Sequence, residues 1–147
     1  MPHQEFATGE LRAFFERFQS LSAADDVDAI AGMYAGSVMI AGPQGTQVVT
    51  SVDLQRAIPK RRQLLASAGH QDTALVGFEE TTLGDRYALV RAQFRWRFQA
   101  ASGEPVTITL PSTFVVDRGG DSTRIVLYMN EQDVVSALRE RGVLPPV

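Results

Sequence analysis

The sequence predicts an α+β domain, because the spacing of its apolar residues changes once along the chain. Up to about residue 67 these residues mostly recur at helical spacing, and from Gly69 onward they alternate with polar residues at period two. Short turns rich in Gly and Asp separate the period-two segments, which predicts an antiparallel meander of hairpins. A last helical stretch follows the meander. Helices first and an antiparallel sheet after them are typical of the α+β class.

Length and composition indicate a single domain that covers residues 1–147, with residues 1–7 frayed. The chain is 44% hydrophobic and 21% charged, which is ordinary for a globular protein. A net charge of only −3 argues against nucleic acid and anionic membranes as partners. The absence of Cys excludes disulfides and thiolate sites. No apolar run has the length of a membrane span or a signal peptide, so we expect a cytoplasmic protein.

Two helices are predicted before the first strand. The first carries a largely aromatic stripe over residues 11–21, and either Asp25 or Asp26 can cap the second. We expect Gly36 to end the second helix through a left-handed cap. The apolar side of that helix consists of Val27, Ile30, Ala31 and Tyr34.

A third helix is predicted from Ser51, as its cap, to about Ser67. Pro59 lies inside this stretch and predicts a kink or a restart, because proline has no backbone N–H to donate. We interpret the run Lys60-Arg61-Arg62 as a solvated helix face.

The remaining segments are strands, followed by a helix over residues 130–142. Residues 38–41 form a short strand and residues 42–45 a turn. Asn130 and Asp133 open the final helix, and Gly142 stops it. The four strands of the meander cover residues 73–82, Tyr87–Gln99, 106–117 and 124–129.

Alternation along these strands predicts a sheet with two different faces. One face carries the apolar residues of the second and third meander strands together with Ser112, a hydroxyl among apolar neighbours. Ser112 either bonds nearby backbone or serves as a donor inside a pocket. The other face is polar, and its members are Arg91, Gln93, Arg95, Arg97, Thr107, Thr109 and Thr113.

Residues 26–45 resemble the ketosteroid isomerases, and the order of elements resembles the wider nuclear transport factor 2-like superfamily. Residues 104–117 follow the same pattern, while Glu131-Gln132-Asp133 and the ending Gly142-Val143-Leu144-Pro145 resemble its SnoaL-like branch, which includes polyketide cyclases. The resemblance implies a cone-shaped, strongly bent antiparallel sheet wrapped around N-terminal helices, with an extra C-terminal helix. Fold resemblance alone does not imply an activity.

The catalytic residues of the isomerases are not matched. The position of their proton-shuttling Asp falls on Gly42, that of the oxyanion-binding Tyr near Phe18, and that of the protonated Asp on Ser112. Glycine and phenylalanine supply neither a base nor a donor. Other branches use acids or histidines on the cone strands, or an Asp–Arg–Asp set, and neither is present on the apolar face. Steroid isomerase chemistry is therefore not expected.

Within this fold we expect the helix stripe and the concave sheet face to enclose an apolar pocket for a small hydrophobic molecule. Such sites combine apolar walls with a few polar groups. The predicted lining is Phe18, Tyr34, Phe94, Trp96, Ser112, Phe114, Tyr128 and Asn130.

If the pocket is catalytic, Tyr34, Ser112 or Tyr128 would orient or polarise the substrate, and His70 is the candidate base. The bland alternatives are a surface role for His70 and a purely structural role for the aromatic residues. We expect no cofactor, and no metal site because two scattered histidines are the only strong ligands.

Two kinds of function remain open. The protein is either a lyase-, isomerase- or cyclase-type enzyme acting on a hydrophobic metabolite, or a non-catalytic ligand carrier or dimerisation module. We also expect a homodimer through the polar outer face, in which Glu79, Glu80 or Glu104 of the partner chain would neutralise the arginines. A merely solvated outer face is the alternative.

Overall fold

The computed structural model describes residues 9–24 and 26–146, which form four helices and six strands. The predictions for Asp25 and for residues 1–7 lie outside this described part. Among the described helices, none has both the length and the apolar character needed to cross a bilayer. The helices are α1 (Glu10–Ala23), α2 (Val27–Ala31), α3 (Ser51–Ser67) and α4 (Val134–Glu140). The strands are β1 (Tyr34–Gly42), β2 (Gly45–Thr50), β3 (His70–Leu83), β4 (Tyr87–Gln99), β5 (Pro105–Asp117) and β6 (Arg124–Asn130).

The six strands form one bent, unclosed sheet in the order β2-β1-β6-β5-β4-β3. The predicted meander corresponds to β3 through β6, which pair antiparallel in sequence. Strand β1 then pairs parallel to β6, and β2 folds back on β1 as an outer hairpin. The α+β class is confirmed, while β2 and the parallel pair are additions to the prediction.

The second helix is shorter than predicted. Asp26 caps it by accepting from the Ala29 N–H at 3.2 Å, but α2 ends at Ala31, and Tyr34 is already the first residue of β1. Tyr34 pairs with Ile125 of β6, whose N–H donates to the Met33 carbonyl at 2.9 Å. The prediction of a helix ending at Gly36 is therefore wrong, because pairing with a distant strand replaces the last helical turn.

The third helix begins next to its predicted start, and the fourth begins four residues after its predicted start. Thr50, and not Ser51, caps α3 in a reciprocal capping box with Asp53. Pro59 lies inside α3, which continues through it as one helix. Asp133 caps α4 by accepting from the Val135 N–H, so the predicted span of 130–142 is too long. Asn130 belongs to β6 instead, since it pairs with β5.

Two apolar clusters cover the inner face of the sheet. Leu11 and Phe15 of α1 pack against β4 and β5 in the first cluster. Leu65 of α3 and Leu138 of α4 pack against the opposite ends of the same strands in the second. The half-buried Trp96 contacts both clusters. The predicted inner face is thus confirmed, and the helices lie on it.

The outer face of the sheet carries a continuous apolar row. Strand register aligns five residues, one from each of β2, β1, β6, β5 and β4. We call them the outer row: Val48, Met39, Leu127, Val115 and Leu89. Val48 is 66% exposed and Met39 is 42% exposed. The arginines predicted for this face lie beside the row, where Arg97 pairs with Asp72 at 3.0 Å and Arg91 with Glu131 at 4.0 Å.

Gly69 lies between α3 and β3, where the backbone passes close to Gln99 of β4. Its φ is +83°, its carbonyl accepts from the Gln99 N–H at 2.8 Å, and a Cβ there would overlap the Gln99 carbonyl oxygen. Gly103 has a similar φ of +88° and open space around it. We expect Gly69→Ala to lower the free energy of unfolding by about 3 kcal/mol and Gly103→Ala by about 1 kcal/mol. Urea denaturation followed by circular dichroism measures both losses. Equal losses would mean that the short distance between Gly69 and Gln99 does not cause the larger loss at Gly69.

Candidate functional site

A small polar cavity lies where α3, the inner face of the sheet and the start of α4 meet. Its volume is about 10 Å³. This is room for about one water molecule or one ligand oxygen. Both polar and apolar side chains form its wall. They are Arg61, Trp96, Leu110, Ser112, Tyr128, Asn130, Gln132, Asp133 and Val134.

An ion pair between α3 and the start of α4 forms one side of the cavity. Arg61 Nη1 donates to Asp133 Oδ1 at 2.7 Å, while Asp133 Oδ2 accepts from the Val135 N–H at 3.1 Å. The side chains are 41% and 30% exposed, so the pair is partly buried and remains in contact with solvent. Burial opposes the charge of Arg61, but Asp133, with Tyr128 and Tyr34, holds the pKa of Arg61 above its usual value.

The interpretation of Arg61 as part of a solvated face is only partly right, because its side chain is 41% exposed but pairs with Asp133 and lines the cavity. The residue lies on the inward side of α3, because Ile58 and Leu65 stand three and four residues from it and are also at least partly buried. The spacing of Ile58, Arg61 and Leu65 could therefore have predicted from the sequence that Arg61 faces the sheet. The cationic run Lys60-Arg61-Arg62 instead suggests a solvated face, although its middle member lines the cavity.

Ser112 is a donor to side chains and not to backbone. It is 6% exposed, and its Oγ donates to Asn130 Oδ1 at 3.0 Å across the β5–β6 pair. The Tyr128 hydroxyl lies 3.5 Å from the same Oγ. The predicted inner-face position of Ser112 is therefore observed, and Ser112, Tyr128 and Asn130 form one polar cluster.

Tyr34 approaches this cluster from β1. Its ring packs edge-on against Phe18 at 5.9 Å, and its hydroxyl has no hydrogen-bond partner among the described residues. Burial, with a smaller effect of Tyr128, raises the pKa of Tyr34, and Arg61 opposes that shift. Tyr34 is consequently a neutral donor throughout the physiological pH range.

The predicted pocket is smaller and more polar than expected. Trp96, Ser112, Tyr128 and Asn130 line the cavity, but the other four predicted residues lie in the adjoining aromatic core. There the ring centroids of Phe15 and Phe114 are 4.6 Å apart, and those of Phe114 and Tyr128 are 4.8 Å apart. These rings occupy the space assigned to a hydrophobic ligand, as close packing of a core requires. The four predicted lining residues that lie in this core, and not in the cavity wall, are Phe18, Tyr34, Phe94 and Phe114.

His70 lies outside the polar cluster. Its Nε2 is 2.7 Å from Thr73 Oγ1, and its ring packs against Trp96 and Phe98 at 5.8 and 5.4 Å. Burial lowers the pKa of His70, although Asp72 opposes the shift. Gly42, at the position of the isomerase base, is exposed in the β1–β2 hairpin. The described residues also contain no group of three potential metal ligands.

Removal of the Ser112 hydroxyl tests the cluster. Ser112→Ala leaves the partly buried Asn130 Oδ1 without its donor, so we expect the free energy of unfolding to fall by about 1.5 kcal/mol. Ser37→Ala, at an exposed strand position, should change it by less than about 0.5 kcal/mol. Urea titrations of both variants decide the matter. A neutral Ser112→Ala would mean that the hydrogen bond is not made in solution.

No protein-family model matches this sequence, and neither does any curated protein. Solved structures do match. A nuclear transport factor 2-like protein with a cystatin-like fold from Novosphingobium aromaticivorans is 19% identical with a TM-score of 0.68, covering 88% of this chain and 86% of that one. The beta subunit of benzoate 1,2-dioxygenase from Burkholderia mallei is 16% identical with a TM-score of 0.68, covering 89% and 93%.

A ketosteroid isomerase-like protein from Erwinia carotovora atroseptica is 15% identical with a TM-score of 0.66, covering 86% of this chain and 97% of that one. Placement in the SnoaL-like branch stays a prediction. At these identities the likeness concerns architecture, and it agrees with the bent six-stranded sheet and the helices on its inner face. The chain therefore has the nuclear transport factor 2-like, or cystatin-like, fold.

Proposed function

We propose that the protein binds a small organic molecule whose polar group enters the cavity beside Arg61. The observation that carries this proposal is convergence. An ion pair and four further polar side chains meet at one cavity on an otherwise apolar sheet face, next to Trp96 and Leu110. A few placed polar groups within apolar walls are the usual composition of a ligand site.

The energetic cost of the arrangement supports the same proposal. Burying an ion pair loses hydration that its attraction recovers only in part, and this pair, at 41% and 30% side-chain exposure, bears part of that cost. Arg61 lies on α3, and Asp133 caps α4. The cap explains the presence of Asp133, but no local requirement of α3 explains the presence of Arg61. A binding role gives the guanidinium a purpose that packing does not require.

Binding without turnover fits the site better than catalysis. Both oxygens of Asp133 accept hydrogen bonds, His70 packs against Trp96 and does not line the cavity, and Gly42 offers no base. Abstraction of a proton needs a base within hydrogen-bonding distance of the substrate. A carrier is therefore our first choice, and a lyase, isomerase or cyclase acting on a hydrophobic metabolite is the alternative.

Trp96 provides a direct assay, because it is the one Trp of the chain and lines the cavity. We expect a screen of hydrophobic and aromatic metabolites to yield compounds that shift its emission and raise the melting temperature. Ser112→Leu, which fills the cavity, should abolish both effects, whereas Ser37→Leu at the exposed site should not. Circular dichroism confirms that the variants fold.

Mass spectrometry of the recovered compound separates the two functions. An unchanged ligand favours the carrier, and a changed mass favours an enzyme. If no compound shifts the emission, or if Ser112→Leu binds as well as the unmodified protein, the proposed site is wrong.

We also propose a homodimer through the outer sheet face, and the outer row supports it. Five apolar residues in register on a twisted sheet form an apolar strip without a helix from the described part of the chain above it. Exposed apolar strips of this kind are typical of association surfaces. Arg91 and Arg97 already have carboxylate partners within the chain, so the apolar residues, more than the arginines, would stabilise the contact.

Sedimentation of matched variants tests the dimer. We expect the protein to sediment as a dimer at micromolar concentration and the double variant Met39→Lys, Val48→Lys to sediment as a monomer. Val52→Lys is the control, since this valine is 51% exposed on α3, away from the outer face. A charge buried at an interface is costly, while the same charge in solvent is not. A monomeric unmodified protein, or a dimer that the double variant leaves intact, would exclude this interface.

A further inference from the structure

We infer that the ligand of the cavity is a carboxylic acid, bound by Arg61 and the neighbouring hydroxyl and amide donors. This inference rests on the proposed function and specifies its ligand class. It follows from a comparison of the hydrogen-bond donors and acceptors that face the cavity.

The acceptors of the cluster already have donors. Asp133 Oδ1 accepts from Arg61 and Oδ2 from the Val135 N–H. Asn130 Oδ1 accepts from Ser112, which places the amide N–H groups of Asn130 on the other side of that side chain. Asp133 is the one carboxylate in the cavity wall. Each oxygen of the one carboxylate in the described wall thus already accepts one hydrogen bond.

The donors, in contrast, are in excess. A guanidinium has five N–H groups, and a single hydrogen bond to Asp133 engages only one of those of Arg61. The Tyr128 hydroxyl also faces the cavity, and its contact with Ser112 Oγ is long, at 3.5 Å. A ligand that completes this set must bring oxygen acceptors.

A carboxylate meets this requirement better than a neutral carbonyl. A carboxylate adds the attraction of opposite charges to the hydrogen bonds from the guanidinium, and the forked guanidinium matches its two oxygens. Asp133 holds Arg61 in place from one side and leaves its other N–H groups available. One carboxylate oxygen fits the cavity of about 10 Å³, with the hydrocarbon part against Trp96 and Leu110.

The test compares an acid with its amide. Cyclohexanecarboxylate and cyclohexanecarboxamide have the same ring and do not absorb where Trp96 is excited. We titrate each into the protein at constant ionic strength and follow the Trp96 emission. We expect the acid to saturate the signal and the amide to bind at least about tenfold more weakly.

Variants on α3 then identify the contact. Arg61→Met should abolish binding of the acid, and Arg61→Lys should weaken it, because lysine keeps the charge and loses the fork. Arg56→Met is the matched control, since it removes an exposed arginine from the same helix and should bind the acid as the unmodified protein does. Circular dichroism and urea denaturation show whether each variant folds.

The outcomes separate this inference from the proposed function. If the amide binds as tightly as the acid, or Arg61→Met still binds the acid, the acid assignment fails and a small-molecule site remains. If neutral metabolites shift the Trp96 emission and the acid does not, the acid assignment likewise fails and the small-molecule site remains. If neither probe nor any metabolite binds, both proposals fail.

Discussion

The structure depends on one constraint, which is that the inner face of the bent sheet must be covered along its whole length. Two separate groups of helices do this, with α1 over one end of β4 and β5 and α3 with α4 over the other. Trp96 packs against both apolar clusters and therefore lies at the boundary between them. Polar side chains can face one another there without disrupting either apolar cluster. The cavity lies at this boundary, between the two clusters.

Much of the fold was predictable because its signals are local. The alternation along β4 and β5 sets two faces without reference to the rest of the chain, and Asp26 and Asp133 are recognisable caps. The start of β1 was not predictable in this way. Tyr34 stands four residues after Ile30, a helical spacing, but its conformation is fixed by pairing with Ile125, far along the chain. Such a non-local contact leaves no periodic signal.

The candidate site was predictable in part for the same reason. Strand parity alone places Ser112, Tyr128 and Asn130 together, while the volume they enclose depends on how Phe15 and Phe114 pack in three dimensions. Arg61 shows a different difficulty. Its helical spacing relative to Leu65 predicts that Arg61 faces the sheet, whereas its place in a cationic run predicts that it faces solvent. The ion pair with Asp133 stabilises the position facing the sheet.

The connection between β6 and α4 links the chemistry of the two faces. Glu131 pairs with Arg91 on the outer face, and Asp133, two residues later, pairs with Arg61 on the inner face. The outer pair is exposed and therefore weak, so it mainly neutralises charge and leaves association to the outer row. The inner pair is more enclosed, and there a single carboxylate oxygen serves a guanidinium with five N–H groups. The inner pair thus leaves further N–H groups of Arg61 for the acid that we propose.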